Sequence, residues 1–279
     1  MNEIPTLPTV DFCGTEITRV IVGGNPLRGY SHFSEELDRE MVEYHTCENA
    51  VKLLFDCERN GINAMLSRGD EIIFNIVRTF REQGGTLHWI GQTASEYPDP
   101  RENIRQIASL KPIAIYHHGS NTDNCWKEGT IDTVQDYLKA IRDTGCAVGL
   151  GTHMPEVLRY AEDNNWDVDF YMACVYNLSK IQRNSLLAGG ERVEEPFDDP
   201  DRDVMCEFIR STSKPCLAFK ILGSGRKCNS PGQVREAFQF AFDRIKPIDA
   251  VVVGLFQKHK DQVAEDCGIV REVLRAGEV

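Results

Sequence analysis

The chain has 279 residues, 41% of them hydrophobic, with 31 basic and 43 acidic side chains and a net charge of −12. That is enough apolar material for a sizeable core in one or two domains. The acidic balance argues against a nucleic-acid partner, and no apolar run approaches the roughly 18 residues of a membrane span, so no membrane partner is expected.

Short β-rich runs alternate with longer helical ones along the chain. Thr18–Val22 closes on Gly23–Gly24, and the next helix is expected over Thr46–Arg59. Strands then follow at Ile62–Leu66, Thr86–Gly91, Pro112–His117, Ala147–Gly151, Val168–Val175, Pro215–Ile221 and Ala250–Gly254. The intervening helices are read at Asp70–Gln83, Pro100–Leu110, Thr130–Asp143, Pro155–Asn164, Asp203–Ser211, Pro231–Arg244 and Lys260–Leu274. Pro at a first turn and Gly after a last turn mark several of these boundaries.

Eight β units in strict alternation with eight α units point to a parallel sheet buried on both faces. In about 280 residues that pattern fits an α/β fold of the closed (β/α)8 TIM-barrel type, a single domain over 1–279. The runner-up, an open doubly wound sheet, lacks a Gly-x-Gly-x-x-Gly fingerprint at any βα turn. Two connections are long, 25–46 and 177–203, and in a barrel both lie at the rim where sites are built. The second holds Gly189–Gly190 and an acidic run whose Asp199-x-Asp201-x-Asp203 spacing lacks the remaining positions of a calcium loop.

Ten cysteines are present without a Cys-x-x-Cys pair, and the N-terminus has neither a basic stretch nor an apolar core. A cytoplasmic protein with reduced thiols is the expectation.

The strand ends carry the chemistry-bearing residues. Gln92 ends the third strand, His117–His118 the fourth, Thr152–His153 the fifth and Cys174–Asn177 the sixth. Alternation along a strand lets only one of His117 and His118 face the barrel mouth. Histidine titrates nearest neutrality, so His118, His153 and His117 are the candidate acid/base groups. A divalent metal held by His118, His153 and Cys174, or with His32 as third ligand, is the sharper version of the same cluster. Gln92 and Asn177 are candidate substrate ligands, with Arg28 and His32 reaching in from the first long loop. After the seventh and eighth strands, Gly223-Ser224-Gly225-Arg226 and Lys258 form a candidate anion or cofactor-phosphate site. Lys220, within the apolar run LAFKIL, has three readings: a Schiff-base amine, a carboxylate partner, or an outward-pointing side chain between helices.

In order and local motif the chain resembles the aldo/keto reductase superfamily over nearly its whole length. Val20–Gly24 is similar to that family's first strand, Gly61-Ile62-Asn63 to its Gly-Ile-Asn, and Ile113–Gly119 to its fourth strand ending in His. Gly145–His153, Asp169–Leu178 and Ala250–Gly254 followed by Gln262–Asp266 resemble its later segments. The resemblance implies a TIM barrel and an NADP(H)-dependent carbonyl reductase with an Asp-Tyr-Lys-His tetrad. Of that tetrad only the His has a counterpart, His118; Leu66 and Gln92 stand at the Asp and Lys positions, and the Tyr has none.

The expectation is therefore a divergent aldo/keto reductase-like barrel repurposed for proton transfer. It would act as an isomerase, epimerase or lyase on a small polar carbonyl or sugar-like substrate, with or without a phosphate group. The alternatives are an NADP-dependent oxidoreductase with a different proton donor and a non-catalytic ligand-binding relative. The oligomeric state is not readable from the sequence.

Overall fold

The structure is a computed structural model describing residues 6–97, 99–181 and 190–276; Gly189 of the second long connection lies outside them. The chain opens with a hairpin of β1 (Thr9–Phe12) and β2 (Thr15–Thr18). Its two-residue turn, Cys13-Gly14, has both residues at positive φ (52° and 85°), the twist that suits a tight hairpin.

Eight parallel strands follow: β3 (Val20–Gly23), β4 (Ala64–Arg68), β5 (His88–Gln92), β6 (Ala114–His117), β7 (Ala147–Thr152), β8 (Phe170–Cys174), β9 (Cys216–Phe219) and β10 (Ala250–Gly254). They pair in chain order, and β10 closes on β3 through the register Val251–Val20 to Gly254–Gly23. The expected closed (β/α)8 barrel is thus the observed architecture. The helices are α1 (Glu35–Tyr44), α2 (Cys47–Arg59), α3 (Glu71–Glu82), α4 (Pro100–Ser109), α5 (Gly119–Lys127), α6 (Val134–Arg142), α7 (Pro155–Asp163), α8 (Pro200–Ser211), α9 (Pro231–Arg244) and α10 (Gln262–Ala276).

Three elements depart from the expected layout. The hairpin is additional, α1 occupies the first long connection, and α5 follows β6 directly. Helix α1 is polar and buries only Met41, so it lacks a wide apolar stripe; Ser34 caps it, its hydroxyl accepting from Leu37 N at 3.1 Å. Helix α5 (GSNTDNCWK) likewise carries little apolar periodicity. A further difference matters for the site: β4 runs two residues past its expected end at Leu66, to Arg68.

Strand alternation divides the core in two. Ile21, Ala64, Leu66, Ile90, Ala114, Tyr116, Phe170, Met172, Leu217 and Val252 fill the barrel interior. Their neighbours in sequence, such as Met65, Trp89, Ile115 and Tyr171, pack outward against the helices. Phe12 and Ile17 of the hairpin belong to the interior group, and the Phe12 ring lies 4.8 Å from that of Phe170. The hairpin therefore plugs the barrel end opposite the strand C-termini. Gly149 faces inward beneath two aromatics: a Cβ there would collide with Phe170 and Tyr116. These rings fill the middle of the barrel and leave its C-terminal end open.

Candidate active site

A cavity of about 460 Å³ occupies the C-terminal end of the barrel. Its walls come from strand ends: Arg68 of β4, Gln92 of β5, Tyr116 and His118 at β6, Gly151 and His153 at β7, Met172 of β8, and Phe219 with Lys220 at β9. The loop after β3 adds Asn25, Tyr30 and His32, the glycine turn adds Arg226, and Glu191–Glu195 close the remaining side.

Alternation decides between the two strand-end histidines. Tyr116 faces inward, His117 outward, and His118 inward again. His117 is buried under the helices, its Nδ1 2.8 Å from Thr122 Oγ1 and its ring stacked on Tyr137 at 5.4 Å. It is a packed core histidine, outside the cavity, and the expectation that it is an acid/base group is corrected accordingly. His118 lines the cavity, and its buried Nδ1 has no hydrogen-bond partner. Burial, joined by the charge of Arg68 and by His153 and His117, lowers its pKa to about 3, so it is a neutral imidazole at neutral pH.

His153 is held from behind by Asp123 on α5, with Nδ1 2.7 Å from the carboxylate Oδ2. Asp123 is fully buried. Ser179 Oγ donates to it at 2.5 Å, Thr152 Oγ1 also donates, and the backbone N–H of His153 does so at 3.3 Å. Burial opposes its charge, but His153, Ser179 and Thr152 together hold its carboxyl below the usual range. An ionised, immobilised carboxylate on Nδ1 fixes the tautomer and ring orientation of a histidine.

Positive charge enters from the strand ends. Arg68 is 8% exposed and bridges Asp70, at 3.0 Å, and Glu96. Arg226 stacks over Phe197 at 4.0 Å and donates to the His32 carbonyl at 3.0 Å. Tyr116 donates its hydroxyl to Gln92 Oε1, and burial pushes its pKa up. The buried Tyr30 hydroxyl has no hydrogen-bond partner, and burial raises its pKa also. His32 Nδ1 pairs with Glu195 at 2.9 Å, and Arg192 pairs with Asp38 of α1, so the two long connections meet across the cavity.

The cavity thus gathers His118, His153, His32, Gln92 and Arg226 of the expected residues. Arg28 is not among its walls; it turns to Asp70 at 2.8 Å and lines a separate groove with Glu96 and Tyr97. Asn177 serves its own turn, accepting from Ser179 N at 3.2 Å. Lys258 pairs with Glu40 of α1 at 2.9 Å, away from the cavity. Gly223 and Gly225 form a tight positive-φ turn (58° and 92°) whose Lys227 is paired with Asp199 at 2.9 Å. Of the candidate phosphate residues, Gly223, Gly225 and Arg226 share this turn, whereas Lys258 is drawn to Glu40. Cys174 is fully buried and absent from the cavity walls. Among the described residues no three His, Cys, Asp or Glu side chains gather as a metal site, so the trio of His118, His153 and Cys174 is not assembled.

Sequence reasoning missed Asp123, Arg68, Tyr116 and Tyr30. Arg68 and Tyr116 were within reach of alternation: Tyr116 stands two before His118, and a longer β4 turns Arg68 inward with Leu66. Asp123 had no such signal, because the segment holding it has no readable periodicity.

No family model matches the chain and no curated protein is similar to it. Solved structures are similar to it over nearly its full length. One is a truncated 3-deoxy-D-arabino-heptulosonate 7-phosphate synthase from Thermotoga maritima, with TM-score 0.57 and 11% identity over 98% of this chain and 93% of that one. A dihydropteroate synthase from Xanthomonas albilineans has TM-score 0.55 and 14% identity over 98% and 99%. Gox0644 in its apo form has TM-score 0.59 and 10% identity over 95% and 88%. Fold and cavity together define the class: a (β/α)8 barrel with a polar pocket at the strand C-termini. The likeness is to TIM barrels generally and does not single out the aldo/keto reductases. Among the described residues no helix is long and apolar enough to cross a membrane.

Proposed function

We propose that the protein is an enzyme moving a proton beside the carbonyl of a small polar, sugar-like substrate, as an isomerase, epimerase or lyase. The observation that carries this reading is the Asp123–His153 pair: a buried carboxylate behind an imidazole that lines the cavity. His153 is the base, and Asp123 orients it and stabilises the imidazolium formed when the proton is taken. The electron pair released at carbon moves onto the carbonyl oxygen, where hydrogen bonds and nearby positive charge stabilise it. Neutral His118 and the Tyr30 hydroxyl are donors placed for that oxygen, and Arg68 and Arg226 supply the positive potential. Gln92, tied to Tyr116, offers its amide N–H to the substrate.

A nicotinamide-dependent reduction, as the aldo/keto reductase resemblance implies, finds less support. Lys258 is paired with Glu40 rather than with the turn that holds Gly223, Gly225 and Arg226. NADPH titration followed by nucleotide fluorescence is expected to show no binding up to millimolar concentration. Micromolar binding would return the reading to hydride transfer.

Deuterium incorporation from D₂O into a panel of ketoses, aldoses and keto acids, followed by NMR, tests the proposal. One substrate class exchanges with the native protein. His153→Gln and Asp123→Asn each slow the exchange by roughly two to four orders of magnitude, the range seen when a base or its orienting carboxylate is lost. Exchange at the native rate in His153→Gln would exclude His153 as the base.

A further inference from the structure

The run from Cys216 to Phe219 alternates as a barrel strand should: Leu217 faces inward, Ala218 outward, and Phe219 inward against the His153 ring, 5.6 Å between centroids. Regular alternation would send the next side chain, Lys220, outward between the helices. It does not go there. Lys220 has φ +63° and lines the cavity, with its Nζ buried and 5.9 Å from the centre of the Phe197 ring. The chain then turns at once, Gly223 N donating to the Lys220 carbonyl at 2.8 Å. A long side chain in the left-handed region is a strained state, which glycine or asparagine would adopt more readily. The strain here turns Lys220, the one lysine among the described cavity walls, back into the cavity, next in sequence to the residue that packs on the base.

We infer that Lys220 is a covalent group, a Schiff-base-forming amine for a small aldehyde or ketone. The inference rests on the proton-transfer reading above and makes its electron sink explicit. The amine nitrogen of Lys220 bonds to the carbonyl carbon of the substrate. The C–O bond breaks, and the oxygen leaves as water with two protons, one from nitrogen and one from a cavity acid. The product is a protonated imine. His153 then removes the proton from the adjacent carbon, the C–H electron pair forms a carbon–carbon double bond, and the imine π pair moves onto nitrogen to give a neutral enamine. Return of a proton to carbon gives the epimer, the isomer or the unchanged substrate, and water releases it by hydrolysing the imine. No oxidant, reductant or metal enters the balance. An uncharged aldehyde or ketone is enough for this step, so the substrate class is a short hydroxy-aldehyde or hydroxy-ketone, with or without an anionic tail.

The test is reductive trapping of the full-length protein with glycolaldehyde, dihydroxyacetone and pyruvate as separate probes, using cyanoborohydride as reductant, with intact-mass and peptide-mapping readouts. The expected result is one adduct per chain on Lys220 with at least one probe, at a yield well above that of the surface lysines. In Lys220→Met this adduct is lost while the melting temperature and circular dichroism are kept. Adducts spread over surface lysines, or none with any probe, would overturn the inference. Lys220→Arg separates chemistry from charge: arginine keeps the cation but forms no such imine, so D₂O exchange should stay lost in that variant. If Lys220→Arg or Lys220→Met exchanges at the native rate, the imine is excluded while the role of His153 stands. If His153→Gln exchanges normally but Lys220 is still trapped, the base assignment fails and the imine stands.

Discussion

At the scale of single residues, the site is built from ionisable groups whose charge states are set by burial. His118 stays neutral chiefly because it is buried, with the charge of Arg68 adding to the effect, whereas Asp123 stays charged despite burial because His153, Ser179 and Thr152 donate to it. Asp266 on α10 has neither arrangement. Burial, reinforced by Glu265, raises its pKa from 3.8 to about 7. The folded protein therefore holds this proton where the unfolded chain has released it, and stability falls as pH rises from near 3.8 through about 7. Asp266→Asn removes that penalty. Thermal melts should show it more stable than the native protein by about 2–4 kcal/mol near pH 8, with little difference near pH 4. An equal gain at both pH values would mean that packing, not ionisation, was relieved.

At the scale of elements, helices and strands whose apolar residues recur with a clear period were legible from the sequence. The strand end at His117 and helix α9 at Pro231–Arg244 match their expected bounds. Elements that pack by one or two residues were not. The hairpin is the main example, for it contributes to the barrel interior chiefly through Phe12 and Ile17. Phe12 is 1% exposed, and truncating it should leave a void under Phe170. Phe12→Ala is expected to cost about 3–5 kcal/mol in urea unfolding. D₂O exchange by the folded fraction should survive, since the plug and the cavity lie at opposite ends of the barrel. Loss of exchange without loss of stability would tie the plug to the site. Helix α5 shows the converse: it is weakly patterned, yet it carries the carboxylate that orients His153.

At the scale of the whole molecule, three histidines enter the fold neutral. His45 and His117 have pKa values lowered to about 4 by burial, and His118 to about 3. Both ring nitrogens of His45 are buried without hydrogen-bond partners, between Tyr44 and Phe256. The unfolded chain takes up these protons near pH 6.5 and the folded chain only near 4 or below. Their contribution to stability is complete above about pH 6.5 and is lost as pH falls through that window. The protein should therefore show a steep acid limb in chemical unfolding between about pH 6.5 and 4. His45→Phe, close in shape and free of polar atoms, should flatten that limb and raise the midpoint near pH 5. An unchanged acid limb would place the sensitivity in His117 and His118 alone.

The periodicity of the chain by itself determined the (β/α)8 barrel and the rim at which His118, His153 and Gln92 stand. Period-2 and period-3.6 burial are written in each segment separately and need no partner to be read. Tertiary structure alone decided which residues share the cavity. Asp123 reaches His153 across 30 positions, and His32 reaches Glu195 across 163. Arg28 and Lys258 were drawn instead to Asp70 and Glu40. Side-chain charge pairing is settled by distance in space, and no local pattern records it. The same holds for Lys220, whose strand pattern points outward and whose left-handed backbone turns it in.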